Sequence, residues 1–343
     1  MAFLVRQTLV YAIPLMIVAL AGVFSERSGI INLALEGMMI FGAFIGVTCM
    51  NVMVGLGWFD AVKASGNMWT MQWLLLLAMM VSAVAGCVFS LLLAFAAINL
   101  KADQTIGGTA LNMLAPAIVL FLVRITAKQN NLLLASGDSA TWFMIKKSMW
   151  GFDKSYKFGF LGDAFLNKVY LTTYFCIILF IIMSVFLYKT RFGIRLRSCG
   201  ENPQASASLG INVNKMRYAG VMISGALAGL GGCVFAVTTA NASANGDVAG
   251  FGFLALAVMI FGNWKPLPIA GGALLFGLFK CIAASYNTLD VNGDGVYALA
   301  SIGLDSNFYR MLPYLITLIV LAFTSKSSRA PKAEGIPYDP GKR

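Results

Sequence analysis

Apolar runs long enough to cross a membrane recur along this chain. They lie at about 8–24, 30–54, 72–98, 105–125, 169–188, 217–239, 267–287 and 308–324, and a shorter run covers 250–263. A helix needs about 20 predominantly apolar residues to cross the hydrocarbon core of a bilayer. Only 11% of the residues are charged, against about 25% in soluble domains. The pattern predicts an all-α polytopic integral membrane protein with about nine transmembrane helices, in which the shortest run forms a tilted or discontinuous element.

The composition excludes several kinds of chemistry. The chain has no histidine, which removes histidine-based acid–base catalysis and Ser-His-Asp triads. Its six cysteines form no CxxC pair, so they predict neither a metal site nor a disulfide framework. No GxxxxGK[ST] phosphate loop occurs, so we expect this chain not to bind ATP by itself. The net charge of +11 is gathered in a few loops and the tail, so no nucleic-acid partner is expected.

Lysine and arginine positions predict the orientation in the membrane. The segment 189–217 carries six basic residues and a single acid, Glu201, and the tail 326–343 is also basic. Both are predicted to be cytoplasmic, because cytoplasmic loops carry an excess of lysine and arginine. The segment 126–168 is then an outer loop, and counting back through single spans places the N-terminus outside as well. Residues 1–325 are predicted to form one transmembrane domain, followed by the cytoplasmic tail.

A carboxylic acid, Glu36, lies inside the second apolar run, where an ionisable side chain costs several kcal/mol unless it is paired or hydrated. If a helix begins at about residue 29, Glu36 lies roughly 10 Å along it, and Asn32 lies one turn earlier on the same face. Three interpretations stay open: Glu36 holds a discontinuous helix by accepting hydrogen bonds, lines a substrate pathway, or couples transport to protons. Lys280 is a candidate partner. Asn32, Glu36 and Asn112 are the candidate pathway residues, although such residues are more often contacts between helices.

The segment from Gly200 to Gly210, GENPQASASLG, predicts a very short helix. Asn202 is suited to the N-cap and Pro203 to the first helical position. Gly210 is suited to end the helix in the left-handed conformation. A helix of about two turns has little stability alone, so this segment either packs against a partner protein or is a simple turn between spans.

Four segments together resemble the permeases of bacterial ATP-binding-cassette (ABC) importers of the ribose and branched-chain amino-acid permease family. They are SERSGIINLALEGMMIFGAF, GTALNML, KTRFGIRLRSCGENPQASASLGINVNKMRYAGVMISGALAGLGG and FGFLALAVMIFGNWKPLP, and the resemblance covers about 8 to 324. Within that family the sequence is most similar to nucleoside ABC transporter permeases. The resemblance implies uptake of nucleosides, with a pentose or a branched-chain amino acid as alternatives. An ion-coupled secondary transporter and an integral-membrane enzyme or scaffold are the rivals from other classes.

The resemblance also implies a role for the short helix. In this family it is the coupling helix, which lies in a cleft of a separate ATPase subunit. That role falls on Glu201, Asn202, Pro203, Gln204, Ala205, Ser206 and Gly210. The chain itself is then a non-catalytic subunit with no cofactor or metal, and ATP with magnesium binds to the ATPase.

Further partners and a location follow from the same resemblance. They are a second permease subunit, similar or identical to this one, an extracytoplasmic substrate-binding lipoprotein, membrane lipid and a small neutral solute as cargo. The expected location is the bacterial cytoplasmic (inner) membrane. The family's inverted-repeat architecture agrees with a faint internal echo, since MIFG occurs at both 39–42 and 259–262, in spans predicted to run in opposite directions.

Overall fold

The structure is a computed structural model that describes residues 2–65, 68–134, 143–150, 159–286, 305–324, 329–339 and 341. Helices dominate these residues. In chain order they are α1 (Ala2–Glu26), α2 (Leu35–Gly55), α3 (Trp58–Ser65), α4 (Met68–Ala94), α5 (Gln104–Ala127), α6 (Phe160–Phe165), α7 (Leu171–Lys189), α8 (Arg191–Glu201), α9 (Pro203–Ser208), α10 (Val213–Thr238), α11 (Phe251–Phe261), α12 (Pro266–Ser285) and α13 (Ser306–Thr324). A π-helical turn, Phe95–Asn99, extends α4, and a 3-10 turn covers Lys147–Trp150.

Within the described residues, seven helices are long and apolar enough to cross a membrane: α1, α2, α4 with its π-helical extension, α5, α7, α10 and α12. Each of them coincides with a predicted apolar run. The remaining long run forms α13, which has 19 residues. The shortest run forms α11, whose 11 residues span only about 16 Å. The prediction of an all-α polytopic membrane protein is confirmed.

Two pairs of very short strands lie at one end of the bundle. Strand β1 (Leu132–Leu133) pairs antiparallel with β4 (Ser243–Ala244), and β2 (Met144–Ile145) pairs antiparallel with β3 (Val169–Tyr170). The sequence did not predict them, because two residues are too few to show an alternating pattern.

The two ends of α1 place the predicted loops at opposite ends of the bundle. Near its start, Arg6 donates from Nη1 to the Asn167 carbonyl, 3.2 Å away, next to β3. Just after its end, Arg27 pairs with Glu201, the last residue of α8, with 3.3 Å from Nη1 to Oε1. The described residues of the segment 126–168 and the short helix α9 therefore lie at opposite ends, as the sequence predicts. Which end faces the cytoplasm stays a prediction.

Helix α10 is the centre of the bundle and packs against α1, α2 and α4. Glycines let these backbones approach closely. A Cβ atom added to Gly42 of α2 would lie 2.3 Å from the Gly229 carbonyl oxygen of α10, and one added to Gly86 of α4 would lie 2.3 Å from the Gly225 carbonyl oxygen. Small residues at helix crossings are typical of membrane bundles, where close packing drives association.

We expect Gly42→Ala to destabilise the protein by about 1–3 kcal/mol, because the added methyl group meets backbone that cannot move aside like a flexible side chain. The measurement is the thermal unfolding midpoint of the purified protein in detergent. Gly55→Ala is the matched control, since this glycine is in the last turn of the same helix and nothing lies within 4 Å of its added Cβ. Equal midpoints for the two variants would contradict the close contact between α2 and α10.

Candidate functional site

The second apolar run is not one helix. Helix α1 ends at Glu26, residues 27–34 are non-helical, and α2 begins one residue before Glu36. The predicted i, i+4 relation between Asn32 and Glu36 on one helix face is therefore wrong, because Asn32 lies before the helix. Glu36 is instead the second residue of α2.

The Glu36 carboxylate binds the start of α11. Its Oε1 accepts from the Gly250 N–H at 3.0 Å, and its Oε2 accepts from the N–H groups of Gly252 at 2.6 Å and Phe253 at 3.3 Å. The first N–H groups of a helix have no partner within it, and a negative charge is favoured beside them. Glu36 is only 7% exposed, and it also lies in the first turn of α2. One carboxylate therefore stands between two helix starts.

Side chains of α5 hold the segment that leads into α2. Asn112 accepts from the Gly37 N–H on its Oδ1 at 2.8 Å and donates from Nδ2 to the Leu33 carbonyl at 2.6 Å. Gln104 accepts from the Ile31 N–H on its Oε1 at 2.7 Å. These bonds satisfy backbone groups that a continuous helix would have satisfied itself.

Asn32 holds the same segment from within. Its Oδ1 accepts from the Ala34 N–H at 3.1 Å, and its Nδ2 donates to the Ser224 hydroxyl of α10 at 2.9 Å. All three candidate pathway residues, Asn32, Glu36 and Asn112, therefore lie at one place, which we name the helix-start junction. Each of them makes at least one hydrogen bond to a backbone group there.

Helices α2 and α11 leave the junction toward opposite ends of the bundle. Beyond the last turn of α11, Trp264 donates from Nε1 to the Glu26 carboxylate at 2.6 Å, near the α9 end. Near the last turn of α2, Asn51 donates from Nδ2 to the Leu133 carbonyl of β1 at 2.9 Å, at the other end. The two MIFG copies lie along these two helices and run in opposite directions, as the sequence predicts.

Lys280, the candidate partner of Glu36, has other contacts. Its Nζ donates to the Ala249 carbonyl at 3.1 Å. The ammonium group also lies 5.0 Å from the centre of the Phe251 ring and 5.4 Å from that of Tyr314, both within the range of a cation–π contact. Lys280 thus contacts the start of α11, and it lies on the side of that start nearer the β-strands.

The short helix α9 forms as the sequence predicts. Asn202 accepts from the Ala205 N–H on its Oδ1 at 3.0 Å, and Pro203 is the first helical residue. Gly210 follows with φ of +79°, the left-handed conformation that glycine adopts without strain. The helix is six residues long.

Exposure differs along α9. Ala205 is exposed, whereas Ser206 is 3% exposed and donates its hydroxyl to the Asn202 carbonyl at 2.9 Å. Ser206 therefore faces the bundle rather than a partner. The neighbouring Cys199 is buried too, and this burial raises the pKa of its thiol. Leu209, directly after α9, is 81% exposed. Sequence reasoning missed this residue. Its position between small residues and the terminating Gly210 was a signal that it could be exposed at the end of the helix.

The tail segment 329–339, which we name the strap, lies across the α9 end of the bundle. Three N–H groups of the strap donate to the bundle: Arg329 to Asn263 Oδ1 (2.9 Å), Ala333 to the Gly200 carbonyl (2.9 Å) and Gly335 to the Gly29 carbonyl (3.2 Å). Two carbonyls of the strap accept from side chains of the bundle: Ile336 from Arg217 Nη1 (3.0 Å) and Asp339 from Gln204 Nε2 (3.0 Å). Burial raises the pKa of the Glu334 carboxyl, which favours its neutral form next to Glu26. The sequence predicted only a basic tail here.

Comparison with known proteins assigns the family. The model of the branched-chain amino acid transport system / permease component family matches residues 4–321. The chain is 41% identical to the guanosine ABC transporter permease protein NupQ of Bacillus subtilis, over 100% of this chain and 98% of that protein. It is 37% identical to the nucleoside ABC transporter permease protein NupC of Lactococcus lactis, over 98% of this chain and 96% of that protein.

A more distant relative is the putative glucose ABC transporter permease protein TsgC13 of Haloferax volcanii, with 27% identity over 94% of this chain and 91% of that protein. No solved structure matches. Permeases of ABC transporters are non-catalytic subunits that work with a separate ATPase and a substrate-binding protein. The chain therefore belongs to the family of permease components of branched-chain amino acid transport systems, as a multi-pass protein of the bacterial inner membrane.

Proposed function

We propose that this chain is the permease subunit of an ABC importer and forms the pathway for nucleoside uptake. The observation that carries the proposal is the match to two relatives named for guanosine and for nucleosides, at 41% and 37% identity over at least 96% of each chain. A separate ATPase binds ATP with magnesium, a lipoprotein delivers the solute, and a second permease subunit, similar or identical, completes the pathway.

The test is uptake by the complete transporter in proteoliposomes. Co-purification with the ATPase comes first, and then uptake of radiolabelled guanosine is compared with that of ribose and leucine in the presence of the binding protein. We expect ATP-dependent uptake of guanosine alone. Uptake of leucine or ribose instead would assign the chain to another substrate of the same family, and uptake without any ATPase would remove it from the importers.

Helix α9 is our candidate for the ATPase contact. Its residue Ala205 is exposed, as are the flanking residues Glu201, Asn202, Leu209 and Gly210, and together they form a small surface at this end. A short helix of this kind gains stability when it packs in a partner's cleft, and an exposed leucine supplies apolar area for that contact. Pro203 and Gln204 are half-buried and position the helix.

Movement of α9 has a direct route to the helix-start junction. Glu201 pairs with Arg27, and a Cβ added to Gly200 would lie 2.4 Å from the Arg27 carbonyl oxygen. Arg27 begins the non-helical segment 27–34, which ends at the start of α2. We infer that closure of the ATPase moves α9, and that this segment carries the displacement to Glu36.

We expect Glu36→Ala to abolish uptake and to lower the yield of folded protein, because three N–H groups at the start of α11 lose their acceptor at about 1–3 kcal/mol each. Glu36→Gln keeps one acceptor oxygen and should retain part of the uptake. Initial uptake rate and detergent-extracted yield are the two measurements.

A matched control for Glu36 is Asp103, an exposed carboxylate that accepts from the N–H groups of Thr105 and Ile106 at the start of α5. Asp103→Ala should cost on the order of 1 kcal/mol and leave uptake near the wild-type rate, since water replaces the lost acceptor. Wild-type uptake by both Glu36 variants would show that the junction does not depend on this carboxylate.

We expect Leu209→Ala to weaken ATPase binding at least tenfold, and Ala205→Trp to block it by filling the cleft, while the permease still inserts at normal levels. The measurements are ATPase affinity in detergent and ATP hydrolysis stimulated by the binding protein. Leu56→Ala is the control, because Leu56 is also exposed, at 62%, but follows α2 at the opposite end. Full stimulation in both α9 variants would make this loop a plain connector.

We expect truncation after residue 328, which removes the strap, to keep insertion but to reduce stimulated ATP hydrolysis several-fold. The strap bonds Gln204 of α9, Gly200 of α8 and Gly29 of the 27–34 segment, so its loss frees these parts to move separately. Truncation after residue 340 is the control, since it keeps 329–339. If complexes assembled with each truncated protein hydrolyse ATP at the wild-type rate, the strap has no part in coupling.

A further inference from the structure

A cavity of about 530 Å³ lies beside the helix-start junction, a volume within the roughly 300–1,000 Å³ typical of small-molecule sites. Its walls combine aromatic and polar side chains, which are Tyr11, Thr239, Asp247, Phe251, Lys280 and Tyr314. Sequence reasoning singled out Lys280 and noted Thr239 as a polar residue within a span, but it did not bring the six together, because they come from different segments and carry no shared motif.

A second cavity, of about 350 Å³, continues from the first toward the β-strand end of the bundle. The two cavities share Tyr11 and Thr239, and the second reaches Lys168 and Tyr170 beside β3. The two cavities thus lie on either side of Tyr11 and Thr239, one next to β3 and the other next to the first residues of α11. The β-strand end of the bundle is the one predicted to lie outside, where a binding protein delivers its solute.

The charged side chains in the wall of the first cavity are held in place by contacts with their neighbours. The Lys280 ammonium group is held over the Phe251 and Tyr314 rings and donates to the Ala249 carbonyl. Asp247 is held as well, since its Oδ1 accepts from the Ala249 N–H at 2.8 Å. An ammonium group has three N–H donors and a carboxylate has two oxygens, so each residue keeps hydrogen-bonding capacity beyond these contacts.

The floor of the cavity is the start of α11. Gly250 and Phe251 line it, and the Gly250 N–H is one of the three that bind Glu36. Substrate sites of membrane transporters lie where discontinuous helices begin. Here the first residues of α11 contact Glu36 on one side and border a cavity of ligand size on the other.

We propose that this cavity is the site where the permease recognises the sugar and base of a nucleoside. The ring of Tyr11 or Tyr314 stacks on the flat base, as aromatic side chains do with any nucleobase. The ribose hydroxyls bond to Asp247, Thr239 and Lys280. One lysine against one aspartate leaves the wall without net charge, which suits a neutral ligand. The inference rests on the proposed function of nucleoside uptake. It assigns to this cavity the selection of nucleosides over other solutes.

A branched-chain amino acid is the competing ligand, because its carboxylate and ammonium groups would complement Lys280 and Asp247. Two rings favour the nucleoside, since Tyr11 and Tyr314 are not buried and offer flat aromatic faces that an aliphatic side chain does not need. The rings of Tyr11 and Phe251 already lie 6.5 Å apart, centre to centre, and form one apolar wall.

The first experiment uses the complete transporter in proteoliposomes with radiolabelled guanosine. Tyr314→Ala should raise the KM for uptake at least tenfold, whereas Tyr314→Phe, which keeps the ring, should stay within about threefold of the wild type. The detergent-extracted yield of folded protein is measured for both variants, and an equal yield separates recognition from folding. An unchanged KM in Tyr314→Ala and in Tyr11→Ala would overturn the site.

The second experiment reads binding without transport. A cysteine in place of Ala284, an exposed residue of the cavity wall, is modified with a thiol reagent, and the labelled peptide is quantified by mass spectrometry. Guanosine should slow this modification at least fivefold, and leave unchanged that of a cysteine in place of Gln129, which is exposed after α5 at the same end of the bundle.

The outcomes separate the two levels of the proposal. If wild-type protein takes up no guanosine, nucleoside uptake itself is wrong. If it takes up guanosine but neither the tyrosine variants nor the Ala284→Cys modification responds, uptake stands and this site is wrong. Protection of Ala284→Cys by leucine instead of guanosine would keep the cavity as a ligand site but overturn the nucleoside as its ligand.

Discussion

Three hydrogen bonds to one buried carboxylate make the interior of this bundle possible. Helix α11 begins inside the bundle, where its first N–H groups find no helical partner, and a bilayer offers no water to replace one. Glu36 accepts from three of them, and Asn112, Gln104 and Asn32 satisfy the backbone that leads into α2. The cost of a carboxylate in an apolar run is offset by the backbone groups that it binds. Of the three interpretations of Glu36, these contacts favour the one in which it holds a discontinuous helix.

The local signals in the sequence were enough to predict α9 and the long helices. Asn202, Pro203 and Gly210 act on neighbours within a few residues, so their meaning does not depend on the rest of the fold, and long apolar runs are equally local. The break at 27–34 was not predictable in this way, because Ile30, Ile31 and Leu33 continue the apolar pattern. What stops the helix there is a set of side chains from α5, more than 70 residues away in the chain.

The strap and the cavity wall escaped prediction for a related reason. Each of the five hydrogen bonds named above uses a backbone N–H or carbonyl of the strap itself, and backbone groups have no residue-type signature. The cavity gathers Tyr11, Asp247, Lys280 and Tyr314 from separate segments. Lys280 was noticed as a partner of Glu36 because both were charges in apolar runs, yet its ammonium group lies over aromatic rings and bonds to the Ala249 carbonyl. Sequence alone located the polar residues but not their geometry.

The same few residues connect both ends of the proposed mechanism. Gly250 and Phe251 form the floor of the cavity on one side and lie at the helix start bound by Glu36 on the other. Glu36 begins α2, and the segment before it starts at Arg27, which pairs with Glu201 next to α9. The segment is also bound to the centre of the bundle, because Asn32 donates to the Ser224 hydroxyl of α10. In the proposed mechanism, a shift of this segment by the ATPase therefore reaches both the cavity floor and α10.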